Sequence, residues 1–378
     1  MSDIEQARDR AKLHWLVLGA FSPLPRGRVF AATRDRFADC LRQCELRMQI
    51  PVADALGDGA TRSYHVNFDR LRSFTLQAIV EGDEQLSRLL ELASDLQRPA
   101  ARPSTEAVLQ RVEQAVGSGA LYQRLQRLQA AAQPSPPDTR DPASGESPAA
   151  DAVDTIFEKA GVGTPRTAAG AIDAFVKATR AESATSRASA AGARDASRLI
   201  EDAVYITAAE ITRAAAVADL EPSWRGLKLL VDQLPAAGEV LVEVVDTEPG
   251  AVSEVLGARG FEEPFDLPDA IFVVSPVQTL EALSEIADLG EQLYVPCVVA
   301  IEPDLIGVSD TFAAEDDQLQ PAADRWAALR RNDALRWLCV TANPIAAVSE
   351  GAGEAKRTVF ASPVWSLAAA MTASYRQV

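Results

Sequence analysis

Two histidines, four cysteines and one carboxylate pair are the residues of this 378-residue chain most readily put to chemical use. His14 sits in the apolar run LHWLVLGA and His65 in the alternating stretch YHVNF, settings that favour a satisfied structural imidazole over a catalytic one. Cys40 and Cys44 are four residues apart, so on a helix they share a face with Phe37 and Leu41 nearby. A zinc site would need two further ligands at suitable spacing, and none is local. Glu302 and Asp304 follow a predicted strand end, where α/β folds often place acid–base groups, although Pro303 between them reads as a turn. The glycine-bearing stretch AGVGTPRTAAG lacks the lysine and the preceding strand of a phosphate loop. The sequence also carries no G-x-S-x-G nucleophile elbow. This inventory predicts a protein without catalytic residues, cofactor or metal. An α/β enzyme using the carboxylates near Glu302 is the chemical alternative.

A different kind of chemistry is concentrated in LEPSWRGLKLLV, residues 220–231. Glu221 and Pro222 suit a helix first turn, one by charge against the helix dipole and one by its fixed φ. Gly226 has no Cβ, so another backbone can approach closely there. Arg225 offers a rigid fork of five donors beside the Trp224 indole. Leu220, Trp224, Arg225, Gly226 and Leu227 are therefore expected to form a structural anchor, with the tryptophan packed and the arginine paired.

Composition narrows the partners. Acidic residues outnumber basic ones 54 to 37, for a net charge of −17. That disfavours nucleic acid and anionic membrane, which select clustered Lys and Arg. Four cysteines at Cys40, Cys44, Cys297 and Cys339 are too scattered for a disulfide framework. The opening MSDIEQARDR has no apolar core of a signal peptide, and apolar runs fall short of a membrane span. The expectation is a cytoplasmic protein of about two domains.

The elements that must position these residues follow from periodicity. Leu13–Ala20 reads as a buried strand, Phe21–Arg28 as a loop and Val29–Ala32 as a second strand. Thr33 reads as an N-cap for a helix through Phe37, Cys40, Leu41 and Cys44. Leu46–Val52 and Tyr64–Phe68 alternate as a hairpin with a turn at Gly57–Gly59, and helical spacing returns at Leu86, Leu89, Leu90 and Leu92. Residues 97–150 change character. Two predicted helices, Ala107–Val116 and Leu121–Ala132, lead into QPSPPDTRDPASGESPAA, and Gln133–Ala150 is expected to be a flexible linker.

Beyond it, Asp151–Ala160, Ala168–Ala181, Ser183–Ala196 and Ser197–Val217 read as helices leading to Trp224. Leu241–Val245, Ile271–Val274, Val295–Ile301 and Leu335–Val340 read as buried strands. Helices Ala251–Arg259, Val277–Leu289 and Ala322–Arg331 alternate with them, which implies a mostly parallel sheet.

Residues 220–231 resemble the LExxWRGLxxLV signature of the large contractile-sheath subunit of type VI secretion systems (TssC, or VipB). The resemblance continues through VPCVVAIEPDLIGVSDTF at Pro303, Leu305 and Gly307, through DRWAALRRNDALRWLCVTANP at Trp326, Leu329, Arg330 and Pro344, and through FASPVWSLAAAMTASY. The N-terminal stretch resembles the small sheath subunit (TssB, or VipA). HWLVLGAFSP, VFAATRDRFADCL with Asp35 and Phe37, and YHVNFDRLRSFTLQAIV with Phe68 and Phe74 carry that likeness. Ala20 and Ser73 stand where that family usually has acids.

The resemblance implies a fusion. A small-subunit-like module at 1–96 and, at 97–150, a helical segment with a Pro/Ser-rich flexible linker precede a large-subunit-like module at 151–378 that ends short of that family's usual C-terminus. The implied fold is a mixed α/β contractile-sheath fold, a small N-terminal α+β module packed on a larger α/β module. The implied partners are the chain itself or other sheath subunits, inner tube or baseplate proteins, and an ATP-dependent unfoldase. In that family the unfoldase recognises an N-terminal helix, whose equivalent would be Asp151–Ala160. The shortened end makes a non-polymerising accessory that caps, initiates or regulates assembly the structural alternative.

Overall fold

The computed structural model describes residues 11–53, 56, 61–132, 168–235, 239–258, 267–308 and 316–375. The expected linker Gln133–Ala150, the expected helix Asp151–Ala160 and the turn Gly57–Gly59 lie outside the described residues. The chain divides into two compact units.

The larger unit, Met1–Asp54, Ala60–Ser87 and Tyr205–Val378, holds a six-stranded sheet. Its chain begins with β1 (Leu13–Gly19), β2 (Arg28–Ala32) and a helix Phe37–Gln43. A hairpin of β3 (Arg47–Ala53) and β4 (Thr61–Asn67) follows. After the helix Leu220–Gln233 come β5 (Val240–Asp246), β6 (Ala270–Val277), β7 (Cys297–Ile301) and β8 (Leu338–Thr341). A second hairpin, β9 (Ile345–Glu350) with β10 (Arg357–Ala361), precedes the helix Val364–Tyr375.

The sheet order is β2-β5-β1-β6-β7-β8. All neighbours are parallel except β2, which runs antiparallel on β5. The fold is thus mixed α/β, as the alternation of strand and helix implied. One feature departs from expectation. The N-terminal strands are not part of a separate module laid on the sheet. β1 lies inside it, with Leu13 opposite Val240 on one side and Trp15 opposite Ala270 on the other. The physical reason is burial: Leu16, Val17 and Leu18 are at most 1% exposed, so both faces of β1 need cover and both edges need partners. The division at residues 96 and 151 is therefore a division of the chain, and its two outer parts share this sheet.

Strand alternation assigns two cores. Leu16, Leu18, Val245, Ile271, Val273 and Val299 face one side, under helices Val252–Ala258 and Leu280–Leu293. Trp326 and Leu329 of the helix Asp316–Leu329 pack against the same cluster. Helices Leu220–Gln233 and Val364–Tyr375 pack together, and the latter packs on β6 and β7. Trp15 meets Phe272 across adjacent strands, with ring centroids 5.2 Å apart.

Several boundaries moved for local reasons. The first helix starts at Phe37, because the Thr33 hydroxyl accepts from Arg36 N (3.3 Å) in a preceding turn instead of capping the helix itself. Gly117, at φ +78°, ends the helix Thr105–Val116 as expected of a glycine there. The separate helices anticipated after residue 168 are one helix, Ala168–Arg213, and it stops short of Val217. Near its end the Thr212 hydroxyl donates to Ala209 O (2.7 Å), a back-bond that bends helices, and Ala214 leaves the helical region at ψ 136°.

The smaller unit, Ala55–Gly59 and Arg88–Val204, contains helices Thr105–Val116 and Ala120–Ala132 and parts of Glu84–Gln97 and Ala168–Arg213. Leu92, Leu96, Val108, Val112, Leu121 and Leu125 are among its buried apolar residues. Ser197, fully buried, donates its hydroxyl to Ala93 O at 2.8 Å. The helical segment expected ahead of the flexible linker is thus present and packed.

Candidate functional site

The helix Leu220–Gln233 carries the anchor, and its burial follows from its sequence. Leu220, Trp224, Leu227, Leu230 and Val231 recur at spacings of three and four, and each is at most 2% exposed. Trp224 is fully buried, and its indole N–H donates to Phe21 O at 3.0 Å. That bond removes the penalty of an unsatisfied donor in the core. Three N-terminal rings surround the indole. Phe21 meets it edge-on at 5.4 Å, Phe37 edge-on at 5.8 Å, and Phe30 stacks on it at 6.0 Å and 12°. They come from the loop after β1, from the following helix and from β2. Such pairs contribute roughly 0.5–1.5 kcal/mol each beyond their area burial. Gly226 meets the Trp365 indole: a Cβ there would lie under 3.0 Å from three of its atoms. The close approach expected at Gly226 does occur, but the neighbour is a side-chain ring and not the second backbone expected.

Beside the tryptophan lies a buried ion network. Glu221, 1% exposed, accepts from Arg225 Nε at 2.7 Å and from Arg357 at 2.6 Å. Arg357, 8% exposed, also donates to Glu350 through Nε at 2.8 Å and to Phe74 O at 2.7 Å. Leu76 N donates to the same Glu350 carboxylate at 3.4 Å. Arg357 on β10 therefore ties the Trp224 helix, its own hairpin and the Phe74 turn together. A buried charge cluster of this kind stabilises little on balance, yet losing one member leaves the others uncompensated. Arg225 pairs with Glu221 as expected, while its Nη2 has no hydrogen-bond partner among the described residues.

Asp246 is the last residue of β5, at its C-terminal end. Only 2% exposed, it accepts Phe21 N at 2.7 Å and Ser22 N at 3.1 Å, and its other oxygen accepts the Ser22 hydroxyl. Ligands in α/β sheets commonly sit beyond the strand ends. Here this carboxylate is spent on the loop that delivers Phe21 to Trp224.

The remaining expected residues fall in different places. Phe68 and Phe74 stack with centroids 4.2 Å apart and 3° between planes. Asp35 is exposed in the turn before Phe37. Pro303 is buried in a 3-10 turn, which Gly307 ends at φ +75°. Trp326 is half-buried against the sheet core, and Arg330 is exposed one turn further on. Glu302 and Asp304 are both exposed on the turn after β7. His14 Nε2 lies 2.9 Å from the fully buried Glu243 carboxylate, and His65 is exposed on β4. Cys40, Cys44 and Cys297 are buried thiols. Burial pushes Cys44 and Cys297 up to about 12, and the carboxylate of Asp246 adds to the effect at Cys44. Cys339 is exposed. Among the described residues, no group of three His, Cys, Asp or Glu side chains is placed to hold a metal, and no helix is long and apolar enough to cross a membrane.

Arg357, Glu350, Asp246 and Trp365 were not singled out from sequence. Glu221 and Arg357 are 136 residues apart, and no local pattern couples them. The arrangement as a whole is built to hold segments together: aromatic burial, paired charges and backbone acceptors converge on one helix. No family model, no curated protein and no solved structure matches the chain.

Proposed function

We propose that this chain is a structural subunit of a contractile injection apparatus of the type VI secretion class, with small- and large-sheath-subunit-like parts joined in one polypeptide. In this reading it is a cytoplasmic protein that acts through assembly, with itself or other sheath subunits and with tube or baseplate proteins, and not through catalysis. The observation that supports it most is the place of β1. The stretch resembling the small subunit contributes a strand between two strands of the stretch resembling the large one. The resemblance implies two subunits interlocked in one protomer, and a shared sheet supports that reading more strongly than the packed modules expected from the sequence would. All seven residues of β1 register on β5, so the halves cannot part without opening the middle of a sheet. Covalent linkage then acts through effective concentration, keeping two interdigitated halves in reach of one another.

The fusion is tested by placing a protease site within 133–150 and cleaving the folded protein. The halves are expected to co-elute in gel filtration; separation into two monodisperse monomers overturns the reading. Assembly is tested by negative-stain microscopy of the full chain at micromolar concentration, with and without sheath and tube proteins. Rings, tubes or capped tube ends support it. A monomer that joins none of these partners refutes it.

A further inference from the structure

We infer that the cleft between β4, the Phe68–Phe74 turn and the helix Leu76–Gly82 is a binding site for an acidic peptide segment. The cleft has a volume of about 450 Å³, within the roughly 300–1,000 Å³ typical of ligand sites. Its polar lining comes chiefly from His65, Asn67, Asp69, Arg70, Arg72 and Glu81.

The acids in it are already engaged. Asp69 accepts from the Ser73 hydroxyl at 2.8 Å and from Arg70 Nε at 3.3 Å. That hydroxyl is the main reason its carboxyl sits below the usual range. Glu81 accepts from the Gln77 amide at 2.8 Å. The cations are not used up in the same way. Arg72 is exposed and has no ion pair among the described residues. Arg70 is 71% exposed and spends only Nε on Asp69, leaving its terminal nitrogens for a second carboxylate. Two guanidinium forks spaced two residues apart suit carboxylates on a peptide, each able to accept two parallel bonds.

An open polar cleft of this kind fits an extended chain better than an enclosed small molecule, which would call for a mostly apolar pocket. The floor is fixed in advance. Phe68 and Phe74 are stacked and at most 1% exposed, and Arg357 holds Phe74 O at 2.7 Å. Little ordering is then needed on binding. The net charge of −17 is screened beyond about 8 Å at 0.15 M salt, so the complex rests on the unspent donors of Arg70 and Arg72 and not on the field of the whole chain.

The test uses the full-length protein and two fluorescein-labelled hexapeptides, one alternating glutamate with serine and one alternating glutamine with serine, read by fluorescence anisotropy at 0.15 M salt. The acidic peptide is expected to bind and the glutamine peptide not to. Arg70→Gln and Arg72→Gln are each expected to weaken binding about fivefold, the equivalent of about 1 kcal/mol for an exposed charge pair, with unchanged melting. Arg331→Gln, an exposed arginine elsewhere, is expected to leave binding as it was. Equal binding of the two peptides, undiminished binding by Arg72→Gln, or an equal loss in Arg331→Gln overturns the assignment. Displacement of the peptide by inorganic phosphate at similar concentration also overturns it, in favour of a small-anion site.

Discussion

Replacing Gly226 with alanine sets two effects of known size against each other. Alanine is a better helix former than glycine by about 1 kcal/mol, and Gly226 lies in the interior of the helix Leu220–Gln233. On propensity alone the substitution stabilises. The added Cβ, however, would fall under 3.0 Å from Cδ1, Nε1 and Cγ of Trp365, whereas carbon atoms sit at about 3.5–4.0 Å. The indole would have to retreat by on the order of 1 Å. It is 1% exposed, and Phe21 meets it edge-on at 6.2 Å. Overpacking of a filled core costs about 1–3 kcal/mol and more where the neighbour cannot move. The collision should therefore outweigh the propensity gain, for a net loss of about 2 kcal/mol in urea unfolding followed by circular dichroism. Trp365→Leu alone should cost about 3 kcal/mol through lost burial. If the collision is the cause, the double variant should be little worse than Trp365→Leu, a coupling of about 2 kcal/mol. Neutral or raised stability in Gly226→Ala, or simple additivity in the double variant, would refute the argument.

Further outcomes are expected from the same network and core. Arg357→Met should lose about 3–5 kcal/mol in chemical unfolding, because buried Glu221 keeps only Arg225 and half-buried Glu350 loses its cation, and adding Glu221→Gln should recover part of it. Trp224→Phe should lose roughly 1–2 kcal/mol through the orphaned Phe21 carbonyl, and Trp224→Ala about 3–5 kcal/mol, both measured by thermal and urea melts. For the thiols, the folded pKa of about 12 at Cys44 and Cys297 lies above the ordinary value of 9.0. The unfolded chain releases these protons first, so stability should be intact below pH 9 and fall as pH rises toward 12. Cys297→Ala should flatten that fall, and at pH 8 iodoacetamide should label Cys339 well before the buried thiols.

How much of this was legible in the sequence differs by element. Apolar runs with β-branched residues located β1 and β5 to β7 because those strands are largely buried on both faces and mostly apolar, with only isolated polar residues such as His14 and Glu243. β9 and β10 escaped notice. IAAVSE is short and small-sided, half of it is solvent-facing, and the Gly351 and Gly353 turns hide its partner. The anchor at Trp224 was visible as a residue that must be buried and paired. Its surroundings were not, since Phe21, Phe30 and Phe37 lie about two hundred residues away, and nothing local to Glu221 indicates Arg357. The order of the sheet was equally hidden. Periodicity identifies a strand by what flanks it along the chain, while the neighbours of β1 are chosen by the complementarity of distant edges.

The central position of β1 bears on how the protein is made. His14 leaves the ribosome long before its partner Leu241, and Trp15 long before Ala270. At about 5–20 residues per second, translation from one to the other takes roughly 13–50 s. For that interval LHWLVLG is a nascent apolar strand with neither edge occupied, a segment of the sort that pairs with copies on adjacent ribosomes. Sheet closure must also wait on contacts more than two hundred residues apart, which places this protein among slow folders. A permuted gene in which β1 is synthesised after β5 would shorten the wait, and soluble yield at high expression rates should rise accordingly.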